Sequence, residues 1–182
     1  SARLEEHLGK FKLELVKSTA ASVFEKRLQL FGTASVCGLA ELLLPERDRY
    51  TFLYDKTIQL LDGFTCCENY MSQYVRWELD FLSEVGFGLN LQSCIVSGVK
   101  ENLSWVSPRS GCAVSRQAGA AYSDRLLTLP GFILQGYSPP AFEIIEGLRL
   151  TGHFLGKAAS TNGTELSPSR DRFVNQFTRQ FA

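Results

Sequence analysis

The sequence predicts a mainly α-helical fold that carries a small β-rich insertion. Two long stretches repeat apolar residues every three or four positions, which is the spacing of an amphipathic helix. Between residues 92 and 121 that spacing disappears, and glycine, proline and serine interrupt short apolar runs, as in strands joined by turns. The chain has 182 residues, of which 45% are hydrophobic. This length and composition suffice for a hydrophobic core without disulfide bridges.

The first predicted element is a strand at residues 10–17. Polar and apolar side chains alternate there, which places Phe11, Leu13 and Leu15 on one face. Because a single strand is not stable alone, we expect it to pair with chain that precedes Ser1. The sequence also begins without a methionine, so we expect a fragment or a processed product.

Helical spacing predicts the elements that follow. The first helical stretch begins at Ser18 or Thr19 and ends before Pro45, and Gly32 and Gly38 leave open whether it forms one helix or two. Further helices are predicted at residues 50–62, 70–85, 138–155 and 167–181, with a short helical turn at residues 122–127. Gly86 should end the helix at 70–85. Serine followed by proline should cap each of the last two long helices, at Ser138 and Ser167.

Charge is balanced overall but unevenly distributed. The chain has 19 basic and 19 acidic residues, so its formal net charge is zero. Residues 1–30 carry six basic and four acidic groups (net +2), residues 31–100 five and nine (net −4), and residues 101–182 eight and six (net +2). Any binding of nucleic acid would therefore rest on the two flanks, because the acidic middle would repel phosphate.

The sequence carries no signature of catalysis or of a membrane protein. His7 and His153 are far apart, no Gly-x-Ser-x-Gly motif is present, and Gly86-Phe87-Gly88 lacks the third glycine of a dinucleotide site. No run approaches the ~18 apolar residues of a membrane helix, and the start lacks the apolar core of a signal peptide. We therefore expect a soluble protein of a reducing compartment, with reduced cysteines and no membrane partner, and none of these motifs calls for a cofactor or a small-molecule substrate.

Two cysteines of the insertion are spaced like the knuckles of a zinc ribbon. Cys94 and Cys112 lie 18 residues apart, and each is followed three positions later by a serine, Ser97 and Ser115. A structural zinc ion needs four ligands, and a serine hydroxyl is a poor substitute for a thiolate. The pattern favours a metal-free module held by packing. A metal-dependent hydrolase built on the cysteines is the other hypothesis, and it predicts stoichiometric zinc.

The same region resembles the RecO family of bacterial recombination mediators. The resemblance is carried by Arg76-Trp77-Glu78-Leu79-Asp80-Phe81-Leu82-Ser83-Glu84-Val85-Gly86-Phe87-Gly88-Leu89 and by Cys94-Ile95-Val96-Ser97-Gly98. The segment from Val106 to Gly119 is similar to the second knuckle in members that have lost their zinc ligands, and Gly147-Leu148-Arg149-Leu150 fits the closing helices. The resemblance covers essentially the whole chain.

Four segments follow from this resemblance. Residues 1–18 would be the remnant of an N-terminal OB fold, and residues 19–91 the first part of a helical domain. Residues 92–121 would be a degenerate zinc-ribbon-like insertion, and residues 122–182 the second part of the helical domain. Because most of the OB fold would be missing, we expect this chain to bind DNA weakly.

The resemblance also implies a function in DNA repair and recombination. Family members bind and anneal single- and double-stranded DNA and act with RecR to load RecA on DNA that single-strand binding protein covers. They are not enzymes, and the implied location is the cytoplasm at the nucleoid. A helical protein-interaction module without a DNA role is the alternative.

Basic residues near aromatic ones are the candidate contacts, because phosphate contact and base stacking require these two types. The candidate DNA-binding residues are Lys10, Lys12, Lys17, Arg109, Arg116 and Arg125, with Trp105 and Tyr122 nearby in sequence. The acidic tail of single-strand binding protein would need a basic residue beside an apolar pocket. The candidate partner-binding residues are Arg76, Trp77 and Arg149.

Overall fold

The computed structural model of the chain describes residues 12, 14 and 18–181. This part contains eight α-helices, a three-stranded sheet and a 3-10 helix at Ala120–Arg125. The helices are α1 Thr19–Val23, α2 Arg27–Leu43, α3 Thr51–Cys66, α4 Tyr70–Glu84, α5 Arg116–Gly119, α6 Gly131–Gln135, α7 Ala141–Thr161 and α8 Pro168–Phe181. The strands are β1 Leu103–Val106, β2 Ala113–Ser115 and β3 Leu127–Thr128. The predicted mainly helical fold with a small β-rich region is confirmed.

The predicted strand at residues 10–17 falls almost wholly outside the described residues. Lys10 and Lys17 are not among them, and Lys12 is exposed. Within the described part of the chain, no helix combines the length and apolar character needed to cross a bilayer.

The first helical stretch divides into two helices, and the break lies at residues 24–26 rather than at a glycine. Of the two predicted starts, Ser18 caps α1, since its hydroxyl oxygen accepts a hydrogen bond from the N–H of Ala21 at 3.2 Å. The second helix, α2, runs without interruption through Gly32 and Gly38.

Both glycines of α2 serve close packing against neighbouring helices. A Cβ at Gly32 would lie 2.8 Å from the Phe64 ring and would also meet Phe173 of α8, and one at Gly38 would meet Ser167 and Ser169. The missing side chains therefore let α8 pack directly on α2. This gain in packing offsets the low helix propensity of glycine.

The helix α4 lies at the centre of the core. Tyr74 and Phe81 are fully buried and Trp77 is 3% exposed, as the apolar stripe of this helix predicted. The rings of Tyr74 and Phe173 meet edge to face with centroids 4.7 Å apart. The helix ends at Glu84, and Gly86 follows with φ +83°, so the predicted stop is confirmed.

A buried ion pair crosses this core. The Arg170 Nε of α8 donates to Oε1 of Glu78 at 2.6 Å, and Arg170 Nη2 donates to Oε2 at 3.0 Å. Thr151 of α7 also donates to Glu78 Oε2 at 2.5 Å. Glu78 is fully buried and Arg170 is 4% exposed. Three helices therefore meet at one satisfied polar cluster.

The sheet is antiparallel with the order β2-β1-β3. Trp105 of β1 pairs with Val114 on one side and with Thr128 on the other. The sheet thus includes the two residues of β3, which lie beyond the predicted end of the insertion at residue 121, and α5 forms a helical turn within the stretch predicted to be strands and turns. The boundaries of the insertion at residues 92 and 121 stay predictions.

The predicted cap of α7 is wrong. Pro140, not Ser138, occupies the capping position and gives no side-chain hydrogen bond. The Ser138 hydroxyl instead donates to Oδ1 of Asn69 at 2.9 Å, which joins this loop to the start of α4. The start of α8 follows the prediction, with Pro168 in the first helical position.

Candidate nucleic-acid interface

The loop between β1 and β2 presents Arg109 to solvent and is held on α7. The carbonyl oxygen of Pro108 accepts from Nε2 of His153 at 3.1 Å and from Nζ of Lys157 at 3.0 Å. Lys157 Nζ also donates to the carbonyl oxygen of Arg109 at 3.2 Å. The backbone of Arg109 is therefore fixed while its guanidinium stays exposed. Such an arrangement suits contact with a phosphate group.

Two of the three candidate arginines share one end of the sheet. Because Val106 pairs with Leu127 in an antiparallel register, the residues just before Leu127 lie near the loop that carries Arg109. Arg125 therefore belongs to that end, where its side chain is 79% exposed in a 3.8 Å ion pair with Asp124. An exposed pair of this kind is weak and can exchange for a phosphate.

Arg116 lies at the opposite end of the sheet. It follows Ser115, which pairs with Leu103 at the start of β1. A strand of three residues spans about 10 Å, so Arg116 does not join Arg109 in a compact cluster. Arg116 is exposed and stays a separate candidate contact.

The two aromatic candidates differ in accessibility. Trp105 is half-buried, and its indole lies so close to Gly119 of α5 that a Cβ there would be 2.5 Å from the ring. The buried Trp105 Nε1 has no hydrogen-bond partner among the described residues. Tyr122 is 59% exposed. The structure therefore favours Tyr122 for base stacking and makes Trp105 part of the packing of the sheet.

The predicted knuckle residues are only partly brought together. Cys94 is 2% exposed, and Ser97 and Ser115 are the residues whose hydroxyl and backbone groups act on its thiol. Burial raises the pKa of Cys94, but the hydrogen bonds from the two serines outweigh burial and lower that pKa to about 6. The Cys112 thiol instead donates to the carbonyl oxygen of Ser110 at 3.6 Å.

Ser115 has a different partner, because its Oγ accepts a hydrogen bond from the Ala118 N–H at 3.3 Å and caps the start of α5. The role of Cys94, Ser97, Cys112 and Ser115 as degenerate knuckles stays a prediction. Across the described residues, no group of three or more His, Cys, Asp or Glu side chains could hold a metal ion.

The three partner-binding candidates are placed differently. Trp77 is in the core, and its indole N–H donates to Thr57 Oγ1 at 2.9 Å. Arg76 is half-buried, with Nη2 donating to the Phe132 carbonyl oxygen at 2.5 Å and its guanidinium 5.7 Å from the Phe132 ring centroid. Arg149 is 69% exposed and pairs with Glu146. Among these three, Arg149 presents the most accessible charge, and their role stays a prediction.

Sequence reasoning missed the residues that organise this region. Lys157 and His153 anchor the loop between β1 and β2 that carries Arg109, which we call the arginine loop. Nothing in the local sequence around these two residues indicates contacts 45 residues or more away. The burial of Arg170, in contrast, is indicated by its position in the sequence. It lies three residues before Phe173 and seven before Phe177, which places it on the apolar face of α8.

Comparison with known proteins identifies the family. The family described as recombination protein O C terminal matches residues 25–158. The chain is 42% identical over 182 residues to the DNA repair protein RecO of Rhodospirillum centenum, covering 98% of this chain and 72% of that protein. It is 44% identical to the DNA repair protein RecO of Dinoroseobacter shibae, covering 98% and 74%. The extent of both kinds of match establishes that this chain belongs to the RecO family.

Proposed function

We propose that this chain is the helical and β-rich part of a recombination mediator in DNA repair. In this role it binds and anneals single- and double-stranded DNA and, with RecR, helps load RecA onto DNA covered by single-strand binding protein. It acts by binding, in the cytoplasm at the nucleoid. The family match over residues 25–158 carries the proposal.

The end of the sheet that carries Arg109 supports a DNA contact. Arg109 and Arg125 are both exposed there, and Tyr122 adds an accessible ring in the preceding 3-10 helix. Arginine positions phosphate groups, and an exposed ring stacks on unpaired bases. Since few phosphates are neutralised, binding should be weak and should fall steeply as salt increases.

Anisotropy of a labelled single-stranded oligonucleotide tests the DNA contact at two salt concentrations. We expect Arg109→Ala and Arg125→Ala to weaken binding and to reduce the salt dependence by about one phosphate each. Arg172→Ala is the matched control, because Arg172 is an exposed arginine on α8. Equal losses in all three variants, or tight binding that salt does not change, would contradict the proposed surface.

Titration of RecR and of a peptide copy of the single-strand binding protein tail tests the protein partners. We expect Arg149→Ala to weaken binding of the acidic tail, because this guanidinium is the accessible charge among the three candidates. Binding of RecR without any DNA binding would instead favour the alternative, a protein-interaction module.

A further inference from the structure

Two adjacent cysteines end helix α3. Cys66 is its last residue and is exposed, and Cys67 follows it and is half-buried. Their sulfur atoms lie 3.5 Å apart in a hydrogen bond. The Cys66 thiol also lies 3.4 Å from the carbonyl oxygen of Asp62. The two sulfurs therefore already face each other at a position that small solutes can reach.

A cavity of about 500 Å³ opens beside this pair, between α3 and α4. Both cysteines line it, together with Gln73 and Arg76 of α4. A small molecule that enters this cavity meets the two sulfurs together. The charges of the lining balance, because Lys56 and Arg76 line the cavity together with Asp62 and Asp80. This pocket is separate from the arginine loop and from the turn around Cys94.

We propose that Cys66 and Cys67 are a redox modification site at which a low-molecular-weight disulfide, such as oxidised glutathione, converts the two thiols into a vicinal disulfide. One thiolate attacks the small disulfide and forms a mixed disulfide, and the first small thiolate leaves. The neighbouring thiol then loses its proton to solvent and attacks the mixed disulfide, which releases the second small thiolate. Two protein thiols are oxidised, and one small disulfide is reduced to two thiols.

Proximity makes the second step faster than the first. A neighbouring group held in place reacts as if present at very high concentration, and here the partner sulfur is 3.5 Å away. The mixed disulfide should therefore not accumulate. Cys37 of α2 is also exposed and serves as the comparison within the same chain, because it is an exposed thiol that meets the same reagent.

The product should be easy to reduce. Adjacent Cα atoms are about 3.8 Å apart across a trans peptide bond, whereas disulfide-linked Cα atoms usually lie about 4.4–6.8 Å apart. Closing the ring strains the end of α3, where the Cys67 N–H donates to the Gly63 carbonyl oxygen at 2.9 Å. A strained disulfide is labile, which suits a reversible modification.

Ionisation sets the rate of oxidation. The hydrogen bond to Cys67, followed by desolvation, raises the pKa of the Cys66 thiol. Only the thiolate attacks a disulfide, so exchange at the pair should accelerate as pH rises above neutrality.

Mass spectrometry of the whole chain treated with oxidised glutathione tests the proposal. Trypsin cleaves after Lys56 and Arg76, so the peptide Thr57–Arg76 contains Cys66 and Cys67 and no other cysteine. After acid quenching and alkylation, we expect this peptide to lose the mass of two hydrogen atoms and to resist alkylation. Dithiothreitol should restore both thiols.

Serine variants separate the pair from ordinary surface thiols. Cys66→Ser and Cys67→Ser should each stop at the mixed disulfide, so that peptide Thr57–Arg76 gains one glutathione. Cys37→Ser is the matched control and should leave oxidation of the pair unchanged, and circular dichroism checks that each variant is folded. A wild-type peptide that stays reduced, or that keeps glutathione, while Cys37 becomes modified would overturn the proposal.

Discussion

The buried pair of Glu78 and Arg170 allows a sharp test of what holds the helices together. Replacing Glu78 by glutamine keeps the shape of the side chain but leaves the Arg170 charge without its counter-ion at 4% exposure. Burial disfavours the guanidinium charge, but the Glu78 carboxylate more than compensates and raises the pKa of Arg170. Removing one partner of such a pair costs about 3–5 kcal/mol in unfolding free energy.

Urea and thermal unfolding, followed by circular dichroism, measure this cost. For a domain of this size each kcal/mol shifts Tm by about 2–4 °C, so we expect Glu78→Gln and Arg170→Met each to lower Tm by about 6–20 °C. The double variant Glu78→Leu/Arg170→Met removes both charges and should lose less stability than either single variant. The matched control is Arg149→Met, whose exposed pair with Glu146 should contribute less than about 1 kcal/mol.

Two results would refute this reasoning. Single variants that lose less than about 1 kcal/mol would mean that water reaches the pair and screens it, in conflict with its burial. Losses that add in the double variant would mean that the two side chains do not act as one unit.

Three further predictions concern stability and the sheet. Gly152→Ala should destabilise the protein, because its Cβ would lie 2.8 Å from Arg170 Nη1. A Cβ at Gly156 on the same helix meets nothing within 4 Å, so Gly156→Ala should stabilise the protein by up to about 1 kcal/mol. Denaturant midpoints measure both effects. The pKa of Cys94 is lowered to about 6 in the folded chain, so the difference in unfolding free energy between wild type and Cys94→Ser should grow in favour of wild type as pH rises from 6 to 9 and should become independent of pH below 6. Lys157→Met removes two hydrogen bonds to the arginine loop and should speed amide hydrogen exchange at residues 107–111.

Each of these has a contrary outcome that is easy to recognise. Equal stabilisation by both alanine substitutions would show that α7 can move away from Arg170. A gap between wild type and Cys94→Ser that stays constant from pH 6 to 9 would mean that the serine hydroxyls do not favour the thiolate. Unchanged exchange in the loop of Lys157→Met would assign its rigidity to other contacts.

Local patterns predicted most of the helices because each helix carries its own apolar stripe. The end of α4 at Gly86 and the Ser18 cap of α1 depend only on neighbouring residues, and both were predicted. The continuity of α2 through Gly32 could not be predicted, since it depends on Phe64 and on a helix far along the chain. The low helix propensity of glycine predicts a weak point in α2 at Gly32, and the packing of Gly32 on Phe64 overrides that preference.

The candidate site was less predictable for the same reason. The exposed arginines are visible in composition, but the registers of β1 decide that Arg109 and Arg125 lie together and that Arg116 lies apart. Spacing alone also could not predict that the Cys112 thiol bonds to the carbonyl oxygen of Ser110. Contacts such as that between Lys157 and Pro108 leave no local trace in the sequence.

The pairing of Glu78 with Arg170 links the order of synthesis to the completion of the fold. The two residues are 92 positions apart, and a ribosome adds roughly 5–20 residues per second, so the carboxylate waits about 5–18 seconds for its partner. Until then α8 is absent from the bundle of α2, α3 and α4. The apolar surface around Phe64 and Tyr74 is then not yet covered by the Phe173 ring. A chain halted before Pro168 would thus be a substrate for chaperones and proteases rather than a shorter working protein.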